Sequence, residues 1–290
     1  MKSICFVGLG TMGFPMASHL VTKTSHDIYV YNRSESKEQE FILKVGGTSL
    51  RKLNKKEGAF DLLILCLKDD DAIFDVLFNQ GFINYLKSDA TIIDHSTTSL
   101  NLIEQVTAHE DITNKGLSFL DAPVSGGEAG AVNGTLTTMV GGDVSTLNNL
   151  EEILSTYAKS IVHIGKNGHG QIAKMVNQIC IAGVLQGLAE ALEFGKSQNV
   201  DMQNIIKAIS GGAAQSWQLD NRALTMLKDE FNFGFAIDLM IKDLEIIKKT
   251  QTSDSVSLNL TLDVLSKYQA LSENGMGKLD TSALIKSLQS

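Results

Sequence analysis

Lys174, Asn177 and Gln178 stand at positions i, i+3 and i+4 of a run that is otherwise almost wholly apolar as far as Gln186. On a helix that spacing puts all three on one face. A lysine withdrawn from water holds its proton less tightly, and amides withdrawn from water need partners. Such a trio can pass a proton to or from a substrate oxygen while the amides orient it. The same stripe also fits the solvent face of an amphipathic helix, although such faces are usually charged.

A second chemical signature lies near the start. Gly8-Leu9-Gly10-Thr11-Met12-Gly13 follows an apolar strand and opens a helix. The first glycine makes the tight turn and the second lets a pyrophosphate approach the backbone. The third lets helix and strand pack closely, and the helix N-terminus faces the phosphates. The βαβ context makes this a dinucleotide site, with a ligand-free tight turn as the alternative. An NAD site usually carries a carboxylate about twenty positions on, for the ribose hydroxyls. Here that place reads Tyr31-Asn32-Arg33-Ser34. Asn32 removes a charge that would repel a 2′-phosphate, and Arg33 supplies a planar donor suited to one. NADP(H) is therefore expected over NAD(H), unless Arg33 is only a solvated loop residue and cofactor choice is loose.

A third motif, Asp121-Ala122-Pro123-Val124-Ser125-Gly126-Gly127, follows a strand. Backbone N–H groups of the two glycines beside the Ser125 hydroxyl can form an anion-binding nest for a carboxylate. An ordinary Gly-rich loop explains the same residues. His95, at a strand end, and His169, before the candidate helix, have no metal-ligand spacing, and no metal is expected.

The elements that must carry these motifs change character along the chain. Apolar runs predict strands at 3–7, 27–31, 62–67, 91–94, 117–121, 135–141 and 161–164. Helices are predicted between them at 12–23, 34–45, 69–78, 99–109 and 144–157. This alternation predicts an α/β, Rossmann-like doubly wound parallel sheet. From 171 to 196 there is one long helical stretch, followed by helical signals at 201–210, 216–229, 237–250, 257–273 and 281–288. The expected division is a nucleotide-binding domain over 1–164 and an all-α C-terminal domain over 165–290.

With 290 residues, 43% hydrophobic and 20% charged, the chain has an ordinary globular composition. A net charge of −8 and no basic cluster beyond 52–56, read as a solvated run, argue against a nucleic-acid partner. No stretch has 18 uninterrupted apolar residues and the N-terminus runs straight into a strand, so neither a membrane span nor a leader is expected. Cys5, Cys66 and Cys180 lie far apart in apolar runs and are expected to be reduced, buried thiols of a cytoplasmic protein.

Taken together, the segments 8–20, 94–98, 121–127, 165–178 and Lys242-Asp243-Leu244 resemble, in order and spacing, the β-hydroxyacid dehydrogenase family. That family includes 3-hydroxyisobutyrate dehydrogenases, tartronate semialdehyde reductases and glyoxylate/succinic semialdehyde reductases. The resemblance implies a Rossmann-like domain followed by an all-α domain, and hydride transfer between NADP(H) and a short β-hydroxy acid or semialdehyde acid. It implies that Lys174 is the catalytic lysine and that Asn177 and Gln178 orient the substrate. Ser125, Gly126 and Gly127 match the substrate-carboxylate loop, and Phe235 matches a pocket wall. Thr97 matches a residue near the nicotinamide, Leu67 one near the cofactor ribose, and Lys242 with Asp243 the cofactor-closing pair. Lys68 departs from the proline that many members carry. The resemblance also implies a homodimer or homotetramer joined through the helical domain. Rival readings are an imine reductase on the same fold, which usually lacks the lysine, and a non-catalytic NADP-binding protein. Trp217, Phe231 and Met240 are read as further wall residues or as helix core.

Overall fold

The computed structural model describes residues 1–53, 57–251 and 256–289. Lys55 and Lys56 of the basic run lie outside the described residues. The chain forms two compact units, Met1–Lys174 and Met175–Ser290.

The first unit alternates strand and helix. In order it contains β1 (Ser3–Val7), α1 (Gly13–Lys23), β2 (Asp27–Tyr31), α2 (Glu35–Lys44), β3 (Thr48–Ser49), β4 (Phe60–Leu65) and α3 (Asp70–Phe74). It continues with β5 (Leu86–Asp94), α4 (Leu100–Ala108), α5 (Glu110–Asn114), β6 (Ser118–Asp121), β7 (Val124–Ser125) and α6 (Gly127–Asn133). Then come β8 (Leu136–Gly141), α7 (Val144–Asn148), α8 (Glu151–Leu154), β9 (Ala158–Gly165) and the start of α9 (His169–Ser197). The second unit holds the rest of α9, α10 (Met202–Ile209), α11 (Trp217–Leu227), α12 (Ile237–Thr250) and α13 (Asn259–Leu271), and ends in a 3₁₀ turn over Thr281–Leu288.

The sheet order is β3-β2-β1-β4-β5-β6-β8-β7, with β9 beside β8. Pairing is parallel from β3 through β6 and between β8 and β9, and antiparallel at β6–β8 and β7–β8. The strands β1 and β4 are nearly continuous apolar runs, and β5 becomes apolar at Ile92-Ile93, because helices cover both faces there. One face packs Ile4, Phe6, Leu62, Ile64 and Ile93 against Met16, Leu20 and Phe41. The other packs Cys5, Val7, Leu63, Leu65 and Ile92 against Ile73, Leu77, Leu102 and Val106. Each such side chain contributes on the order of 1.5–3 kcal/mol by leaving water.

The register places the functional loops. Val7 pairs with Tyr31 and with Leu65, Leu65 with Asp94, and Asp94 with Asp121. These residues form one row, so the loops that follow them emerge side by side at the carboxyl edge, where open α/β sheets bind ligands.

Several boundaries differ from the sequence reading. The helix expected over 144–157 is two short helices, because the Asn148-Asn149 pair competes with helical bonding. The stretch 69–78 begins as α3 and widens into a π-type turn over Asp75–Asn79. The two-residue strands β3 and β7 carry no periodicity and were not expected. Cys180 is exposed and Cys66 half-buried, so only Cys5 is the buried thiol expected, and burial pushes that thiol up from its ordinary range. Among the described residues, α9 is long and apolar enough to cross a membrane by length and composition. Its Ala182, Leu185, Ala189 and Leu192 are buried, whereas Ile172, Val176, Val184 and Phe194 are exposed.

His95 resolves as a structural residue. Its Nδ1 lies 2.6 Å from the Ala122 carbonyl, which can only accept, so Nδ1 carries the proton. Nε2 then accepts from the Tyr157 hydroxyl at 2.8 Å. Burial pushes the imidazole down from 6.5 to about 4 and raises the Tyr157 phenol. Between those two pH values the unfolded chain binds a proton that the folded chain refuses. The stability this neutral ring supplies is complete above pH 6.5 and is lost as pH falls through about 4. Urea unfolding should therefore show stability falling with acid in this window, with a slope of up to ~1.4 kcal/mol per pH unit from this one residue. His95→Gln should flatten that slope. An unchanged slope would assign the acid sensitivity to other groups.

Candidate active site

The Gly-rich turn tests its own reading. Gly8 has φ +103°, and a Cβ there would sit 2.2 Å from the Cys66 carbonyl oxygen. A Cβ on Gly13 would sit 1.9 Å from the Gly8 carbonyl oxygen. A Cβ on Gly10 would meet nothing within 4 Å. Gly8 and Gly13 are thus required by the protein's own backbone, whereas Gly10 leaves an exposed approach to the turn. No side chain caps α1. Leu9 is buried, while Thr11 is exposed and Met12 half-buried. These features fit the pyrophosphate of a dinucleotide: open backbone at Gly10 and an uncapped helix N-terminus.

Beside this turn, Asn32 Oδ1 accepts from the Leu9 N–H at 3.0 Å, and Asn32 Nδ2 donates to the Ser34 carbonyl at 3.2 Å. Asn32 therefore ties the end of β2 to the turn. Arg33 and Ser34 are exposed. Leu67, after β4, donates its N–H to Ser96 Oγ at 2.8 Å, and Thr97 is half-buried in the loop after β5. Lys68 is largely exposed, 3.5 Å from Asp69. The structure thus gathers the turn, Asn32, Arg33, Ser34, Leu67 and Thr97 along one edge of the sheet.

The first turn of α9 is bolted to the same edge. Asp121 ends β6, and its carboxylate accepts from Gly168 N at 2.7 Å and Gln171 N at 3.0 Å. Burial raises the Asp121 carboxyl from its ordinary value, against the pull of those N–H groups. The Gln171 side chain, fully buried, donates to Ser96 O at 2.8 Å and accepts from Thr98 N at 3.1 Å. Asn167 donates to Phe119 O at 2.7 Å. His169 is half-buried, with its ring against Gly165. Lys174, one turn beyond Gln171, reaches back and donates to the Val124 carbonyl at 3.0 Å. This places its ammonium beside Ser125. Gly126 and Gly127 follow with φ +127° and +60°, and a Cβ on Gly127 would meet nothing within 4 Å. Two consecutive positive φ values make this exposed turn dependent on glycine.

The remaining predicted residues lie in the second unit. Asn177 donates to Gln178 Oε1 at 3.0 Å, and buried Gln178 donates to Asp243 Oδ2 at 2.6 Å. Lys242 pairs with the other Asp243 oxygen at 3.2 Å. These contacts fasten α9 to α12. Phe235 is half-buried; its N–H donates to Asp280 Oδ2 at 2.9 Å and its carbonyl accepts from Thr281 N. Asp280 also pairs with Arg222, whose guanidinium lies 4.7 Å from the Trp217 ring and 4.6 Å from Phe233. Phe231 and Met240 are core, and Trp217 is half-exposed under Arg222.

Sequence reasoning did not single out Asp121 and Gln171 as anchors. Asp121 opens the very motif that ends at Gly127, and Gln171 precedes Lys174 by one helical turn, a spacing that could have flagged it. No group of acidic, histidine or cysteine side chains among the described residues could hold a metal.

Two sequence families match this arrangement. One, described as the NAD-binding domain of 6-phosphogluconate dehydrogenase, matches residues 3–165. The other, described as NAD-binding of NADP-dependent 3-hydroxyisobutyrate dehydrogenase, matches residues 168–288. An uncharacterized oxidoreductase of Shewanella frigidimarina is 40% identical, covering 100% of this chain and 99% of its own length. The 2-hydroxy-3-oxopropionate reductase of Escherichia coli is 33% identical over 98% of this chain and 96% of its own. The structure of Mycobacterium tuberculosis 3-hydroxyisobutyrate dehydrogenase with L-serine superposes with a TM-score of 0.88 at 28% identity, covering 100% of both chains. The chain belongs to the β-hydroxyacid dehydrogenase family and is an oxidoreductase that uses a nicotinamide cofactor.

The glycine geometry separates two roles. Gly10→Val should leave the fold intact, with Tm moved by less than ~2 °C, while weakening dinucleotide binding about tenfold or more. Gly13→Ala should instead destabilise the protein by ~3 kcal/mol or more, through collision with Gly8. Thermal melts and dinucleotide titration of both variants check the pair. Equal thermal losses would refute the distinction.

Proposed function

We propose that the protein reduces the aldehyde of a short semialdehyde acid to the β-hydroxy acid, and catalyses the reverse oxidation, with NADP(H) preferred and NAD(H) tolerated. The observation that carries this reading is the Lys174 ammonium, held 3.0 Å from the Val124 carbonyl beside the open Ser125, Gly126 and Gly127 backbone. A positive proton donor next to a carboxylate-binding concavity suits a substrate with a carbonyl a short distance from an acid group. The nicotinamide supplies or accepts the hydride when bound. Lys174 donates a proton to the carbonyl oxygen in reduction and takes it back in oxidation. Ser125 and the two glycines hold the carboxylate. Asn177 and Gln178, at i+3 and i+4 from Lys174, orient the oxygen.

On the same reading Gly8, Leu9, Gly10, Thr11, Met12 and Gly13 hold the pyrophosphate. Asn32, Arg33 and Ser34 meet the adenosine ribose, and Leu67 and Thr97 flank the cofactor. Phe235 serves as pocket wall, and Lys242 with Asp243 as the cofactor-closing pair. Residues 1–164 form the nucleotide-binding domain and 165–290 the substrate and oligomerisation domain.

The exposed apolar stripe on α9, Ile172, Val176, Cys180, Val184 and Phe194, supports a homo-oligomer, and the same stripe is better covered by a second copy than by lipid. Light scattering should give a dimer or tetramer. A monomer at micromolar concentration would refute it.

Oxidation of NADPH and of NADH against methylmalonate, tartronate and succinic semialdehydes and glyoxylate tests the chemistry. Turnover is expected with at least one, with NADPH preferred. Lys174→Ala should lower kcat by ~10²–10⁴-fold and leave dinucleotide affinity unchanged. No turnover despite tight dinucleotide binding would point to imine reduction or a non-catalytic role. Full activity in Lys174→Ala would remove the lysine from the mechanism.

A further inference from the structure

The carboxyl end of β2, where this fold meets the adenosine ribose, holds a buried charge that the cofactor reading does not use. Glu38, on α2, is completely buried. One of its oxygens accepts from the Asn32 N–H at 3.2 Å, and the other accepts from the Ser49 hydroxyl. A carboxylate is thus fixed directly behind the residue that would face a ribose substituent. Left alone, it would repel a 2′-phosphate through low-dielectric protein.

Arg51, in the single 3₁₀ turn after β3, sits against it. Its Nε lies 3.4 Å from Glu38 Oε2, and its Nη2 donates to the Asn32 carbonyl at 2.8 Å. Its guanidinium lies over the Tyr31 ring, 4.6 Å from the centroid. The side chain remains 34% exposed. Both backbone groups of Asn32 are therefore gripped by this ion pair, and both of its side-chain groups are engaged with Leu9 and Ser34. Asn32 keeps one Nδ2 hydrogen for a phosphate at this edge. Tighter recognition needs positive charge, and the described residues offer it from exposed Arg33, next in sequence, and from Arg51, stacked and held in place.

We infer that Arg51 is a specificity-determining residue for the adenine-nucleotide end of the cofactor. It neutralises Glu38 and presents a preorganised cation to a ribose 2′-phosphate. A stacked, doubly bonded guanidinium gives up little freedom when it meets an anion, unlike a solvated arginine. The inference rests on the cofactor reading above but makes a separate claim, about the ratio of affinities for nucleotides with and without a 2′-phosphate.

The test is calorimetric binding of adenosine 2′,5′-bisphosphate and adenosine 5′-monophosphate to the full chain, without turnover. In Arg51→Gln, affinity for the bisphosphate should fall about tenfold or more relative to the monophosphate. Arg51→Lys, which keeps the charge but loses the planar stack, should fall between. Glu38→Gln, which removes the opposing charge and keeps an acceptor for the Asn32 N–H, should shift the ratio the other way. If Arg51→Gln does not fold, the last two variants carry the test. Equal weakening of both nucleotides in every variant, or an unchanged ratio, would overturn the inference and leave Arg51 a structural brace. A wild-type protein that prefers the monophosphate, but whose ratio still moves with Arg51, would refute the NADP(H) preference and leave the inference standing.

Discussion

The Asp121 carboxylate is the contact on which the rest of the active-site geometry depends. It is buried at the end of β6 and takes its hydrogen bonds from the backbone at the start of α9. A helix N-terminus favours an anion, and a buried anion needs such donors, so each group resolves the other's cost. The contact tolerates no side chain between its parts. A Cβ on Gly141 would lie 2.6 Å from Asp121 Oδ1, and one on Gly170 would lie 2.4 Å from the Asp121 carbonyl oxygen. With this junction set, Gln171 engages the loop after β5 and Lys174 reaches the end of β7. The position of the ammonium is therefore a consequence of strand register.

The same economy appears at the Gly-rich turn. The backbone row from Val7 to Asp121 delivers the loops at one level, and each loop is then cross-tied to its neighbour: Asn32 to Leu9, Leu67 to Ser96, Gln171 to Ser96 and Thr98. The chain is acidic overall, with a net charge of −8. Yet this edge presents open backbone N–H groups together with Arg33 and Lys68. Local arrangement, not net charge, decides what this surface receives. In the second unit, the pairs Gln178–Asp243 and Arg222–Asp280 play the equivalent part, fixing which faces of α9, α11 and α12 turn inward.

Much of this could be read from the chain. Strand and helix alternation, the shift to helix after residue 165, and the glycine roles at 8, 10 and 13 follow from local pattern, because each depends on a few adjacent residues. Lys174 stands out as a candidate by its isolation in an apolar run. What escaped depends on distant partners. Asp121 and Gln171 gain meaning only when β6 and α9 meet, and Glu38 with Arg51 only when α2 and β3 pack beside β2. The basic residues from 52 on looked like a solvated run, and nothing in their spacing separates Arg51 from them. The break inside 144–157 was missed for a local reason, since the Asn148-Asn149 pair lies within an otherwise helical period.

The wiring of Asn32 also bears on how such a protein can change over evolutionary time. In a sheet of this kind the shortest genetic route to binding a bare ribose diol is one exchange to aspartate at this position. Here that aspartate would lose the amide proton now given to the Ser34 carbonyl. It would also set a second negative charge next to Glu38, whose oxygen already holds the Asn32 N–H. The single step would therefore cost a local hydrogen bond and add repulsion beside a buried carboxylate, so in a lineage carrying this arrangement a change at the glutamate or around the 34 carbonyl would ease the exchange.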